Sequence, residues 1–553
     1  MELRATFALM FALLAVACGE RAAPPEPPAS VPIFDGMGSH SRAVTTSNPE
    51  AQAYFDQGLR FLFGFNHDEA IRSFTRAAEL DAGCAMAWWG IATANGPHIN
   101  FPAVPAERAR EAWTASEKAR EAAQESEQKP ADAALIGTLA ARFANPQPED
   151  RKPLDEAYAA AMREIAARFP DDADVGTLFA EAMMDLRPWD LWTREGAAQP
   201  GTDEIVATLE GVLAKSPDHP LANHLYIHAV EASPNPEKGM AAAERLRTLQ
   251  PGLGHMVHMP THIDVRTGNW EKAVASNALA NEADVSYRER AGKKQGFYGL
   301  YMAHNRHMRA FGAMMLGRSH EAIGQIRIMV AEMPEEWRKE YVAIADGYLG
   351  MPFEVLMRFG KWDEILSESE PAGTFPIARA LRLYARGVAR AAKGMTREAR
   401  AEQALFLAHK ATIPADAMFG NNAAADLLAV AEHLLEGEIA FREGKIEEGL
   451  ASMREAVKRE DALRYDEPPD WIQPVRHALG AALLQAGRLE EAEAVYRRDL
   501  EIHPRNGWSL YGLARTLELG KRPGASTVRA RFDDVWKSAD FKISSSCLCQ
   551  PGV

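Results

Sequence analysis

Cysteine is scarce in this chain: four in 553 residues, at positions 18, 84, 547 and 549. So few cannot staple a chain of this length, which excludes a disulfide framework and leaves the core to apolar packing. Strand and hairpin signals are lacking too, because apolar residues recur with helical spacing almost throughout. An excess of positive charge is missing: the formal net charge is −15, which argues against a nucleic-acid partner. Beyond the N-terminus, no segment is apolar over enough residues to cross a bilayer. There is no glycine-rich phosphate loop, no G-x-S-x-G elbow and no H-E-x-x-H pair, so nothing signals a nucleotide cofactor. A metal-independent hydrolase likewise finds no nucleophile constellation.

What the chain does have is histidine in one place. Of sixteen histidines, seven lie between residues 224 and 307. An even spread would put about 2.4 there. They form three clusters: His224 and His228; His255, His258 and His262; His304 and His307. Within each cluster the spacing is three or four residues, which puts the imidazoles on one helix face.

The rest of the mature chain carries an internal repeat. Counting from Ala51, Gly58, Phe61, Ala70 and Phe74 stand at repeat positions 8, 11, 20 and 24. Counting from Gln473, Leu479, Gly480, Ala492, Tyr496 and Pro504 fit the same pattern; repeats beginning near Val430 and Gly507 flank that one, and weaker copies begin near Asp346 and Ala380. On these residues the chain resembles the tetratricopeptide-repeat family over most of residues 48–520. The resemblance implies an all-α, tetratricopeptide-type helical-repeat solenoid, with N-terminal repeats over residues 47–335 and C-terminal repeats over 336–537. In such a solenoid each helical hairpin buries its apolar face only by stacking on its neighbours. The family pattern further implies that positions 2, 5, 9, 12 and 13 of each first helix face the concave groove.

Repeats counted from Pro220, Gly254 and Ala303, with the register set by Gly, Ala, Trp and Pro, place every clustered histidine on such a position. His224, His258 and His307 take position 5, His228 and His262 position 9, and His255 and His304 position 2. Glu181 takes position 9 of the repeat before them. Converging imidazoles suit a transition metal: with thioether nearby copper, with carboxylate zinc or iron. The expected ligands are His224, His228, His258, His262 and His307, with Glu181, His255, His304 and His98 at the rim. His98 lies in the turn 96–100, which can reach the groove mouth. The loops 187–192 and 466–471 interrupt the repeats and are candidate walls. Similar bacterial tetratricopeptide proteins carry motifs like those at 224–228 and 258–262, a resemblance to a family of unsettled function that implies no activity. Two readings stay open: a metal-binding repeat protein, which can also use the metal in catalysis, and a scaffold that binds a peptide or protein in its groove without metal.

The two ends complete the expectation. Residues 1–18 have the layout of an export signal, with Arg4 ahead of an apolar run that ends in small residues. Leu14-Ala15-Val16-Ala17-Cys18 resembles a bacterial lipobox, which implies lipidation at Cys18 and a place in the cell envelope facing the periplasm. The alternative is an ordinary cleaved signal with a chance cysteine. Residues 19–46 read as a flexible tether rich in Pro and Ala. In the tail 538–553, Cys547 and Cys549 form a C-x-C that is a disulfide, a pair of soft metal ligands, or merely exposed.

Overall fold

A computed structural model of the chain describes residues 31–292 and 296–550. The expected signal, Cys18 and the first part of the tether lie outside them. The described chain is helical almost throughout, in hairpins stacked in chain order as a tetratricopeptide-type solenoid. The small-residue pattern has a steric cause. Phe74 lies between Gly58 of its own hairpin and Gly90 of the next, and a Cβ at either glycine would stand 2.6 Å from its ring. Tyr496 sits in the same way between Gly480 and Gly512. Side-chain caps start several first helices: Asn48 accepts from the backbone of Glu50 and Ala51, and Asp172 from Val175.

Pro130–Arg142 and Lys152–Arg168 form a further hairpin that the fixed-period pattern did not detect. A nine-residue connection, 143–151, with prolines at 146 and 148, stretches its spacing past the repeat length. The segment 284–301, which sets the repeat counted from Ala303 apart from the one counted from Gly254, is mostly an extension of the flanking helices Trp270–Ala291 and Tyr298–Met315. The one sheet among the described residues is a short two-stranded ladder, Met418–Phe419 against Asn422–Ala423.

The solenoid coils back on itself twice. One apolar core runs from Phe34 to Met302 and a second from Val265 to Cys549. They meet on the histidine-bearing helices rather than near residue 335. In the first turn, Phe34 packs on Tyr287, ring centroids 5.7 Å apart. In the second, the Trp508 indole N–H donates to the Met314 carbonyl (2.7 Å), and Asp540 accepts from the backbone N–H groups of Ser319 and His320 (2.8 Å each). Trp270 donates to the Pro504 carbonyl at 2.9 Å. Residues 31–46, expected as part of the tether, are docked instead. Tyr54 donates to the Val31 carbonyl, and Arg42 pairs with Asp132, Asp172 and Asp174. No helix among the described residues is long and apolar enough to cross a membrane.

Candidate metal centre

Three consecutive first helices bring the imidazoles together at the junction of the two cores. Pro220–Glu231 carries His224 and His228. The next helix is divided into Gly254–His258 and Pro260–Arg266, because Pro260 has no N–H for the carbonyl four residues earlier. Met259 between them keeps right-handed helical angles (φ −48°, ψ −39°), so His258 and His262 still share a face. Tyr298–Met315 supplies His304 and His307.

Six of the seven clustered histidines form two triads. His224, His228 and His255 make the first, and His258, His262 and His304 the second. In each, one ligand-capable atom per residue lies within 4.8 Å of the other two. The Nε2 atoms of His224 and His255 are 3.2 Å apart, and those of His258 and His262 are 2.8 Å apart. Nitrogens held at about 2.0–2.1 Å from one tetrahedral ion stand roughly 3.3 Å from each other, so these spacings suit a shared ion. The triads adjoin, with the His228 and His262 rings 5.3 Å apart.

The far nitrogens are held from behind. His224 Nδ1 faces the Phe63 carbonyl at 3.0 Å, and His258 Nδ1 faces Asn277 Oδ1 at 2.7 Å. Glu231 spans both triads: one oxygen meets His228 Nδ1 at 2.7 Å and the other His262 Nδ1 at 2.5 Å. An acceptor on Nδ1 fixes the tautomer, placing the lone pair on Nε2 and raising its basicity as a ligand. His228 Nε2 is buried without a hydrogen-bond partner. Burial, reinforced by the neighbouring imidazoles, holds His224, His255, His258 and His304 well below the usual histidine range, so they stay neutral. Burial would lower His262 as well, but the Glu231 carboxylate outweighs it and raises that ring above its ordinary value. Burial opposes charge on Glu231, yet the two imidazoles keep it ionised.

The expected ligand set is thus redrawn. Of the residues expected as ligands, His224 and His228 fall in one triad and His258 and His262 in the other. His255 and His304, expected at the rim, are each a third member of a triad. His307, expected as a ligand, joins neither: its ring meets Tyr348 edge-on at 5.9 Å. Glu181 is buried beside Arg142 and Asp185, where burial pushes it up to about 7. His98 stacks on His67 at 4.1 Å and joins neither triad, and Phe65 packs on both His98 and His224. Glu231 was missed, although it stands three residues after His228 on the same face. Tyr465, whose hydroxyl bonds both Glu231 (3.2 Å) and Glu467 (3.0 Å), comes from the second turn. Both candidate wall loops are in place: Trp189 meets His228 edge-on at 5.2 Å, and Asp466 and Glu467 line the cavities over the centre.

Two other clusters are weaker metal candidates. His40 and His219 both point Nε2 at Asp174, which Arg42 already neutralises. Cys547 and Cys549 are joined as a disulfide and buried near Glu438, which decides among the readings of the tail.

No protein-family model and no curated protein matches the chain. Solved structures resemble it at low identity. The human IFIT1 dimer with m7Gppp-AAAA is 12% identical, with 89% of this chain and 91% of that one covered at a TM-score of 0.34. Yeast Tom70 is 10% identical over 88% and 90%, at 0.28. The APC/C hetero-tetramer Cut9-Hcn1 is 10% identical over 88% and 96%, at 0.26. The likeness is one of helical-repeat coiling and carries nothing about what this chain binds.

Proposed function

We propose that this chain is a helical-repeat metalloprotein whose two histidine triads hold a pair of copper or zinc ions side by side. The observation that carries the reading is the paired arrangement itself: Nε2 atoms turned together, with Nδ1 atoms of both triads anchored on one carboxylate. An all-imidazole donor set suits copper and zinc better than iron, for which a carboxylate ligand is more usual. Three protein ligands per ion leave a further coordination position, as in metal sites that do chemistry rather than only support a fold. That makes catalysis the natural use of the centre, on whatever ligand reaches the open positions.

Elemental analysis of the purified protein tests this. Wild type should carry up to two equivalents of copper or zinc per chain. A His258→Ala/His262→Ala double variant should keep about one, in the first triad. Equal trace amounts in both would dispose of the metal reading, and a peptide or protein partner in the groove would replace it.

A further inference from the structure

A chamber of about 320 Å³ opens onto the histidine centre, near the lower end of the range of roughly 300–1,000 Å³ usual for small-molecule sites. His228 and His255 of one triad and His262 and His304 of the other form its floor. His224 and His258 do not line it, so a molecule in the chamber would meet two imidazoles of each triad. The walls are apolar and largely aromatic: Phe101, Phe297, Leu300, Tyr301, Ile344 and Met351. Among the described residues lining it there is no lysine or arginine.

The chamber's polar wall atoms are mostly engaged with one another. The Asn100 side-chain amide donates to Tyr301 Oη at 3.1 Å and accepts from the Trp189 indole at 3.1 Å. The three carboxyl groups there also have protein partners: Asp466 accepts from the Asn421 and Glu467 backbone, Asp470 from the Asn422 side chain, and Glu467 from Tyr465. Among the buried atoms around the chamber that lack partners are Glu467 Oε1 in the wall, and His228 Nε2 and His307 Nε2 at the floor. Apart from His262, which is already paired with Glu231, and any ion the triads hold, an anion would find no cationic partner here, since no lysine or arginine lines the walls. A purely apolar molecule would leave the floor's buried nitrogens unsatisfied. A flat ring gains contact with the aromatic walls, and one polar atom at its end answers the floor.

We propose that the chamber binds a small neutral phenol, its ring between the aromatic walls and its hydroxyl oxygen turned to the imidazole floor. The assignment rests on the metal reading only for what the hydroxyl meets; the ring and charge selection come from the walls. Calorimetric titration of the purified full chain with 4-methylphenol, benzoate and cyclohexanol tests it, with metal content measured on the same sample. Neutral 4-methylphenol should bind at least tenfold more tightly than benzoate or cyclohexanol. Ala343 is exposed at the chamber rim, so Ala343→Trp should narrow the mouth without disturbing the core. That variant should lose at least tenfold in 4-methylphenol affinity while keeping the wild-type metal content and melting temperature. Equal binding of benzoate, or an unchanged affinity in Ala343→Trp, would overturn the proposal. A Gly-Tyr-Gly peptide separates two sources of the ring: binding as tight as 4-methylphenol assigns a polypeptide tyrosine, and weaker binding assigns a free phenol. Selective phenol binding by a metal-free protein would remove the metal reading alone. Metal loading without phenol selectivity would remove this one alone.

Discussion

Single buried groups decide much of the chemistry of this chain, and burial acts in opposite senses on bases and acids. It keeps His224, His255, His258 and His304 uncharged and available, while Glu231 overrides it at His262. On Glu354, in the helix Val342–Arg358, it pushes the carboxyl up to about 8 from 4.5, and both carboxyl oxygens lack partners. Folded, this group keeps its proton up to that pH; unfolded, it loses the proton above 4.5. The unfolded state therefore binds fewer protons across this window, and the group removes stability as pH rises through it. Glu354→Gln abolishes that slope. Its melting temperature should gain on wild type steadily from pH 5 to pH 8, by up to about 1.4 kcal/mol of stability per pH unit. A gap that stays constant across the window would refute the assignment. At this scale the sequence made the histidines legible because their spacing is local. Glu231 was equally local but was overlooked. Tyr465 and Glu467 reach the centre from more than two hundred residues away, and no local pattern announces such a contact.

Helices and hairpins follow from small residues at fixed places. Ala273 and Ala492 are fully buried, each in the second helix of its hairpin. An aspartate at either position would bury an unpaired charge and cost on the order of 3 kcal/mol or more. Both variants should melt several degrees below wild type in thermal denaturation, and unchanged melting in both would mean the hairpin register is wrong. Where glycine, alanine and aromatic residues keep the repeat spacing, as around Gly58, Phe74, Gly480 and Tyr496, the elements could be read from the sequence. The hairpin of Pro130–Arg142 and Lys152–Arg168 could not, because a long connection breaks the period that the reading depends on. The break at Pro260 is also written in the sequence, yet it bends the helix without turning its histidines apart.

The whole molecule was the least legible scale. A solenoid is commonly stabilised by contacts between neighbouring repeats alone. Here each turn closes on itself through bonds such as Trp508 to Met314 and Trp270 to Pro504, and the repeat pattern contains nothing that specifies closure. The placement of the chain in the cell also belongs to this scale. We propose an exported protein held to the envelope by a lipid on Cys18, on the evidence of the lipobox-like signal. Cys18→Ser should move the protein from the membrane to the soluble periplasmic fraction, and a wild type that is already soluble after fractionation would refute the anchor.

Closure also has a consequence in time. All six imidazoles of the triads lie before residue 305, whereas Tyr465 and the wall residues around it come some 160 residues later. A growing chain therefore possesses its complete set of nitrogens well before it possesses the loop that covers them. In that interval the centre faces water on one side, and an ion would reach the imidazoles without passing the chamber mouth. If the proposed metal centre is real, a chain that ends before residue 465 would keep the ligands and lose the cover, so it should exchange metal with its surroundings faster than the intact protein does.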